Sequence, residues 1–125
     1  MAPTFGHGKI AYLEIPTADV ARSVSFYKAV FGWPIRLRED RATAFDDGVG
    51  EVSGTWVTGR PPSPTPGLLL YIMVKSVGAT LEAVVQNGGR IIQPMGEDVP
   101  ELIGRFADPD GNVLGLAEQS AQTGG

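Results

Sequence analysis

The chain has 125 residues, 42% of them hydrophobic and 19% charged, with a formal net charge of -4. That balance suits one globular domain and excludes a disordered chain. The acidic balance argues against a nucleic-acid partner, for which a basic face is the usual footprint. There is no cysteine, so disulfides, thiolate metal sites and a cysteine nucleophile are excluded.

No apolar run approaches the roughly 20 residues that cross a bilayer. The N-terminus carries no signal-peptide pattern. The expectation is a soluble, cytoplasmic protein that does not bind membrane. The net charge would favour a cationic small ligand at long range.

MAPTFGHG, residues 1–8, is rich in Gly and Pro and reads as a loose arm. It holds His7, the one histidine of the chain, which is expected to be solvated there. Lys9–Pro16 alternates as a strand, with Tyr12 and Glu14 on one face and Leu13 and Ile15 on the other. Pro16 stops it. Asp19 is placed to cap a helix whose stripe is Val20, Val24, Tyr27 and Phe31, widened by Phe26 and Val30. Gly32 is placed to end it.

Ile35–Arg38 reads as the next strand. Ala42–Phe45 and Val52–Val57 flank a turn at Asp46-Asp47-Gly48. Residues 59–67 hold four prolines, which bar helix and central strand, and read as a stiff linker. Leu68–Val74 is a nearly continuous apolar strand. Ser76 caps a second helix, with Val77, Leu81 and Val84 inward and Asn87-Gly88-Gly89 at its end. Arg90–Gln93 is a strand. Pro94–Ile103 is a loop containing Glu97, Asp98 and Glu101. Arg105–Ala107 and Val113–Glu118 are the last strands, joined by Asp108-Pro109-Asp110-Gly111-Asn112, and residues 119–125 are a frayed tail.

The second half repeats the first. A shift of 57 residues carries Ile15 onto Ile72, Asp19 onto Ser76, Val24 onto Leu81 and Gly32 onto Gly89. The fold class is α+β. Two βαβββ modules, residues 9–58 and 68–118, should form one curved mixed sheet with helices on its outer face and a groove on the concave side. Together they make a single domain, residues 9–118.

Several stretches resemble the vicinal oxygen chelate superfamily, the group of glyoxalases, bleomycin-resistance proteins and extradiol dioxygenases. They are Tyr12-Leu13-Glu14-Ile15-Pro16, Asp19, Phe26-Tyr27, Phe31-Gly32-Trp33, Gly88-Gly89 and Phe106-Ala107-Asp108-Pro109-Asp110-Gly111-Asn112. The likeness covers about residues 9–118 and is nearest to the small bacterial glyoxalase-related proteins. It implies a divalent metal held by one side chain from each of four groove strands, and a homodimer.

The ligand positions that the resemblance implies are Tyr12, Leu69, Gly115 and Val52. Tyr12 lies seven residues before Asp19, and Leu69 is its repeat. Gly115 lies four residues after Gly111. Val52 follows from aligning Asp47-Gly48 with Asp110-Gly111, and a slip of one there would bring in Glu51. Leucine, valine and glycine supply no donor, so no family metal or other cofactor is expected.

Strand alternation lines the groove with Tyr12, Glu14, Leu69, Tyr71, Met73, Val52, Gly54, Trp56, Val113, Gly115 and Ala117, with Arg105 at the rim facing an anion. Trp56 and Tyr71 are pocket walls or core. Glu14 is a catalytic carboxylate, or it is solvated or paired with an arginine. The first function expected is metal-free binding of a small organic molecule. The alternative is a metal-independent lyase or isomerase with Glu14 as base and Tyr12 or Tyr71 as electrophile. A metal-dependent glyoxalase or dioxygenase ranks below both.

Overall fold

The structure is a computed structural model that describes residues 3–95 and 103–118. The chain divides into two compact units between Pro62 and Ser63. Each unit is a βαβββ module, so the α+β class and the duplication both stand.

The first unit runs β1 (Tyr12–Pro16), α1 (Val20–Phe31), β2 (Ile35–Leu37), β3 (Thr43–Asp46) and β4 (Ser53–Val57). Its four strands form one mixed sheet in the order β1-β4-β3-β2. β1 and β4 are parallel, and the other pairs are antiparallel. Helix α1 starts where Asp19, in extended backbone, accepts from the Arg22 N–H at 3.2 Å. It ends at Gly32, whose φ of 69° closes the last turn through a bond to the Lys28 carbonyl.

The buried face of α1 is Ser23, Phe26 and Tyr27. That is rotated from the stripe of Val20, Val24, Tyr27 and Phe31 read from the sequence. The cause is polar. Ser23 is fully buried, and its hydroxyl bonds Thr17 Oγ1 at 2.8 Å. A satisfied hydroxyl costs little to bury, so it can sit where hydropathy alone would place a valine.

The core of this unit is aromatic. Trp33 stacks on Phe45 at 4.6 Å and on Tyr27 at 5.0 Å. Trp56 lies 4.8 Å from Phe45 and 5.9 Å from Tyr27. All four rings are at most 5% exposed.

The second unit runs β5 (Tyr71–Val74), α2 (Val77–Gln86), β6 (Arg90–Gln93), β7 (Ile103–Ala107) and β8 (Val113–Glu118). Its sheet order, β5-β8-β7-β6, repeats that of the first. The ladders are therefore two four-stranded sheets, one per module, where the sequence reading drew a single curved sheet. Ser76 caps α2 by accepting from the Ala79 N–H at 3.1 Å. Its buried residues are Val77, Leu81 and Val84, as the periodicity requires. They meet Phe106, Leu114 and Leu116 in the core of the unit, all at most 6% exposed.

The acidic residues Glu97, Asp98 and Glu101 and the tail from residue 119 lie outside the described residues. The arm that reads as loose makes contacts: Thr4 donates from its backbone N and its hydroxyl to the Glu51 carboxylate at 3.2 and 3.1 Å. Lys9 donates to the Glu51 carbonyl. No helix among the described residues is long and apolar enough to cross a membrane.

Candidate functional site

Each sheet has one face toward its helix and one face away. In the first unit the register pairs Tyr12 with Ser53, Glu14 with Thr55, and Ala44 with both Thr55 and Arg36. These residues share the face away from α1. It is a polar face, and its charges are matched. Arg36 donates from Nε and Nη2 to Asp46 at 3.2 and 3.1 Å, and the Ser53 hydroxyl donates to the same carboxylate at 2.7 Å. Arg38 donates to the Tyr12 hydroxyl at 2.5 Å and pairs with Asp40 at 3.0 Å. Arg60 donates to Glu14 at 2.6 Å. The Glu14 carboxylate is thus engaged by a guanidinium.

The hydrogen bond from Arg36, then that from Ser53, holds the Asp46 carboxyl below its ordinary value; partial burial opposes them. The same bond, with the carboxylate's charge, raises Arg36. A depressed carboxyl stabilises the fold above its ordinary value of 3.8 and loses that contribution as pH falls through the folded value. The pair is partly exposed, so its contribution is about 0.5–1 kcal/mol. Asp46→Asn is expected to lower the unfolding free energy by that amount at pH 7. Urea titrations repeated at pH 3 and below should show the gap closing; a constant gap would contradict the pairing.

The face of the second unit away from α2 has the opposite character. Tyr71 pairs with Gly115, Met73 with Ala117, and Arg105 with Gly115. The Tyr71 ring lies across Gly115, where an added Cβ would stand 2.5 Å from two ring carbons. Arg105 Nη2 donates to the Tyr71 hydroxyl at 3.2 Å. Its Nε is buried with no hydrogen-bond partner. Tyr71 and Met73 are 41% and 58% exposed. The result is a surface in which Arg105 stands between the Tyr71 ring and Gln93 of β6, with Arg90 further along the same face beside Ala107.

Within each unit the candidate residues fall on different faces. Tyr12 and Glu14 lie on the polar face of the first unit. Tyr71, Met73, Gly115 and Arg105 lie together on the face of the second away from α2. Leu69 precedes β5 and is partly buried. Trp56 is not a pocket wall: its ring packs against Tyr27 and Phe45 on the helix side, and Gly54 shares that side under the Phe45 ring.

Turn length explains the difference. The first hairpin turn closes from the Asp47 N–H to the Val52 carbonyl. The second closes from Asp108 to Asn112, one residue shorter. Asp47 and Asp108 each accept from turn amides and are the true counterparts. Glu14 pairs with Thr55 as Tyr71 pairs with Gly115, so Thr55, not Val52, is the counterpart of Gly115. Sequence reasoning missed Thr55, Ser53, Arg36 and Asp46. The paired turn aspartates were the signal that would have found Ser53 and Thr55.

The four positions implied for a metal become Tyr12, Thr55, Leu69 and Gly115. The Tyr12 hydroxyl accepts from Arg38, and the Thr55 hydroxyl donates to the Thr43 carbonyl at 2.6 Å. Leucine and glycine offer no donor, and the Tyr71 ring fills the space beside Gly115. This set does not fit a four-ligand divalent site. Among the described residues no group of three or more His, Asp or Glu side chains is placed to hold a metal.

Residues 9–116 match the family model of the Glyoxalase/Bleomycin resistance protein/Dioxygenase superfamily. The chain belongs to that superfamily. A glyoxylase-like domain-containing protein of Didymella fabae is 32% identical over 124 residues, 86% of this chain and 91% of its own. Two solved structures are similar in fold. TnmS3, an antibiotic binding protein from Streptomyces sp. CB03234, has a TM-score of 0.68 at 22% identity, over 92% of this chain and 98% of its own. The fosfomycin resistance protein FosX of Listeria monocytogenes has 0.73 at 13%, over 94% and 97%.

Proposed function

We propose that this member of the superfamily binds a small organic molecule without the family metal, on the face of the second unit that carries Tyr71, Met73, Arg105 and Gly115. The observation that carries the reading is the Tyr71 ring lying over Gly115 and bonded to Arg105. An exposed aromatic ring, an apolar floor and one directed polar group are the usual elements of a small-molecule site. The likeness to a protein described as antibiotic binding supports the same class. Homodimerisation belongs to the proposal as an expectation from the family likeness. The lyase or isomerase alternative needs Glu14 as base, and would first require Arg60 to leave it.

A melting-temperature screen with neutral, cationic and anionic aromatics tests the reading. A ligand at 100 times its Kd adds about 2.7 kcal/mol, which for a chain of this size is a rise of about 10 °C. At least one class is expected to give a rise of that order. Tyr71→Ala should abolish it while moving the ligand-free Tm by less than about 3 °C, because the ring is largely at the surface. No shift with any compound, or an unchanged shift in Tyr71→Ala, would sink the proposal.

A further inference from the structure

We infer that the molecule taken up on the second unit's sheet face is an organic anion, an apolar or aromatic body bearing a carboxylate, sulfonate or similar group that docks on Arg105. The inference rests on the binding role proposed above and adds the charge of the ligand.

In the first unit Arg36, Arg38 and Arg60 each reach a carboxylate, at 3.1, 3.0 and 2.6 Å. Arg105 has no acidic partner among the described residues. Its one hydrogen bond goes to a neutral phenol, and its buried Nε–H goes to nothing. A guanidinium is charged at every working pH. Set partly out of water beside Tyr71, Gly115 and Gln93, it has lost hydration and gained no counter-charge among the described residues. An incoming anion supplies that missing partner, and the planar fork suits a two-oxygen acceptor.

The repeat sharpens the point. The ladder positions of Arg105, Gly115 and Tyr71 in the second unit are those of Ala44, Thr55 and Glu14 in the first. At corresponding places one copy carries a carboxylate and no cation, and the other a cation and no carboxylate. The glycine opposite Arg105 lets the Tyr71 ring lie flat against the strand, where a Cβ would stand 2.5 Å from two ring carbons.

The chain's overall charge of -4 opposes an anion only weakly. Exposed charges are screened over about 8 Å at physiological salt. A direct contact with a partly desolvated guanidinium is screened far less. The local cation therefore outweighs the global balance, and the ligand preference is opposite in sign to the one that composition alone suggests.

A matched pair of fluorescent probes separates charge from shape. 8-Anilinonaphthalene-1-sulfonate and N-phenyl-1-naphthylamine share an aromatic body and differ by the sulfonate. The wild-type chain is expected to bind the sulfonate probe about tenfold more tightly in 50 mM salt, with the ratio shrinking as salt rises. Arg105→Met should bring the two affinities within about twofold by weakening the sulfonate probe alone. Arg105→Lys should retain part of the preference. Circular dichroism and Tm of each variant control for folding, and the neutral probe serves as an internal control in a folded variant. Equal affinities in the wild type would leave the binding role standing and overturn the charge assignment. Failure of both probes and of the whole ligand screen would overturn both. Probe binding that is lost as protein concentration rises would give this face to a second copy of the chain and overturn the inference.

Discussion

Trp56→Ala is expected to lower the unfolding free energy by about 3–5 kcal/mol, the usual cost of removing a large buried aromatic side chain. For a chain whose total stability is about 5–15 kcal/mol, that is a fifth or more of the whole. Trp56 is 5% exposed and sits between Tyr27 and Phe45, in a cluster that Trp33 completes. No neighbour can swing in to fill the space, because each ring already stacks on another. Urea unfolding followed by far-ultraviolet circular dichroism measures the loss without relying on the deleted fluorophore. Trp56→Phe should cost much less, about 1 kcal/mol. It keeps an aromatic ring and removes an indole N–H that is buried without a partner. A loss below about 1 kcal/mol in Trp56→Ala would show the ring to be peripheral to the core.

Gly54→Ala and Gly115→Ala form the second large contrast. The two added Cβ atoms meet neighbours at similar distances, 2.3 and 2.5 Å. At Gly54 those neighbours are the buried Phe45 ring and, at 2.4 Å, the Leu13 carbonyl oxygen. Neither can move without opening the β1–β4 ladder or the aromatic core. The expected cost is about 3 kcal/mol, the upper end of the usual overpacking range. At Gly115 all three nearest atoms belong to the exposed Tyr71 ring. That side chain can turn out into solvent, so the cost should stay below about 1 kcal/mol. Ligand-induced stabilisation, however, should be lost, because the ring leaves the site. Thermal melts with and without ligand distinguish the two. Equal destabilisation by both substitutions would mean that Tyr71 is fixed in place.

The fold was largely legible because its determinants are local. Asp19 and Ser76 announce their helices, Gly32 ends one of them, and Val77, Leu81 and Val84 keep a clean helical period. The candidate site was legible only in part. Tyr71, Met73, Gly115 and Arg105 follow from alternation within strands of the second unit whose ends are well marked. Trp56 does not. Its facing depends on how many residues the preceding turn consumes, and a one-residue error turns every side chain of the strand over. Ser23 escaped for another reason: its burial rests on a hydroxyl partner, Thr17, six residues away in sequence. Pattern reading detects apolar residues and is blind to polar groups that satisfy one another.

The unequal turns after Asp47 and Asp108 bear on how such a duplicated chain diverges. Phe45 and Phe106 occupy matching ladder places at a shift of 61, while Gly54 and Leu114 match at 60. Both copies keep a closed turn, so the length change was absorbed outside the ladder. Insertions and deletions there are close to neutral for folding, yet they scramble any gap-free comparison of the halves. Ancestry written in such a chain is therefore best traced strand by strand, with the tally restarted at every hairpin.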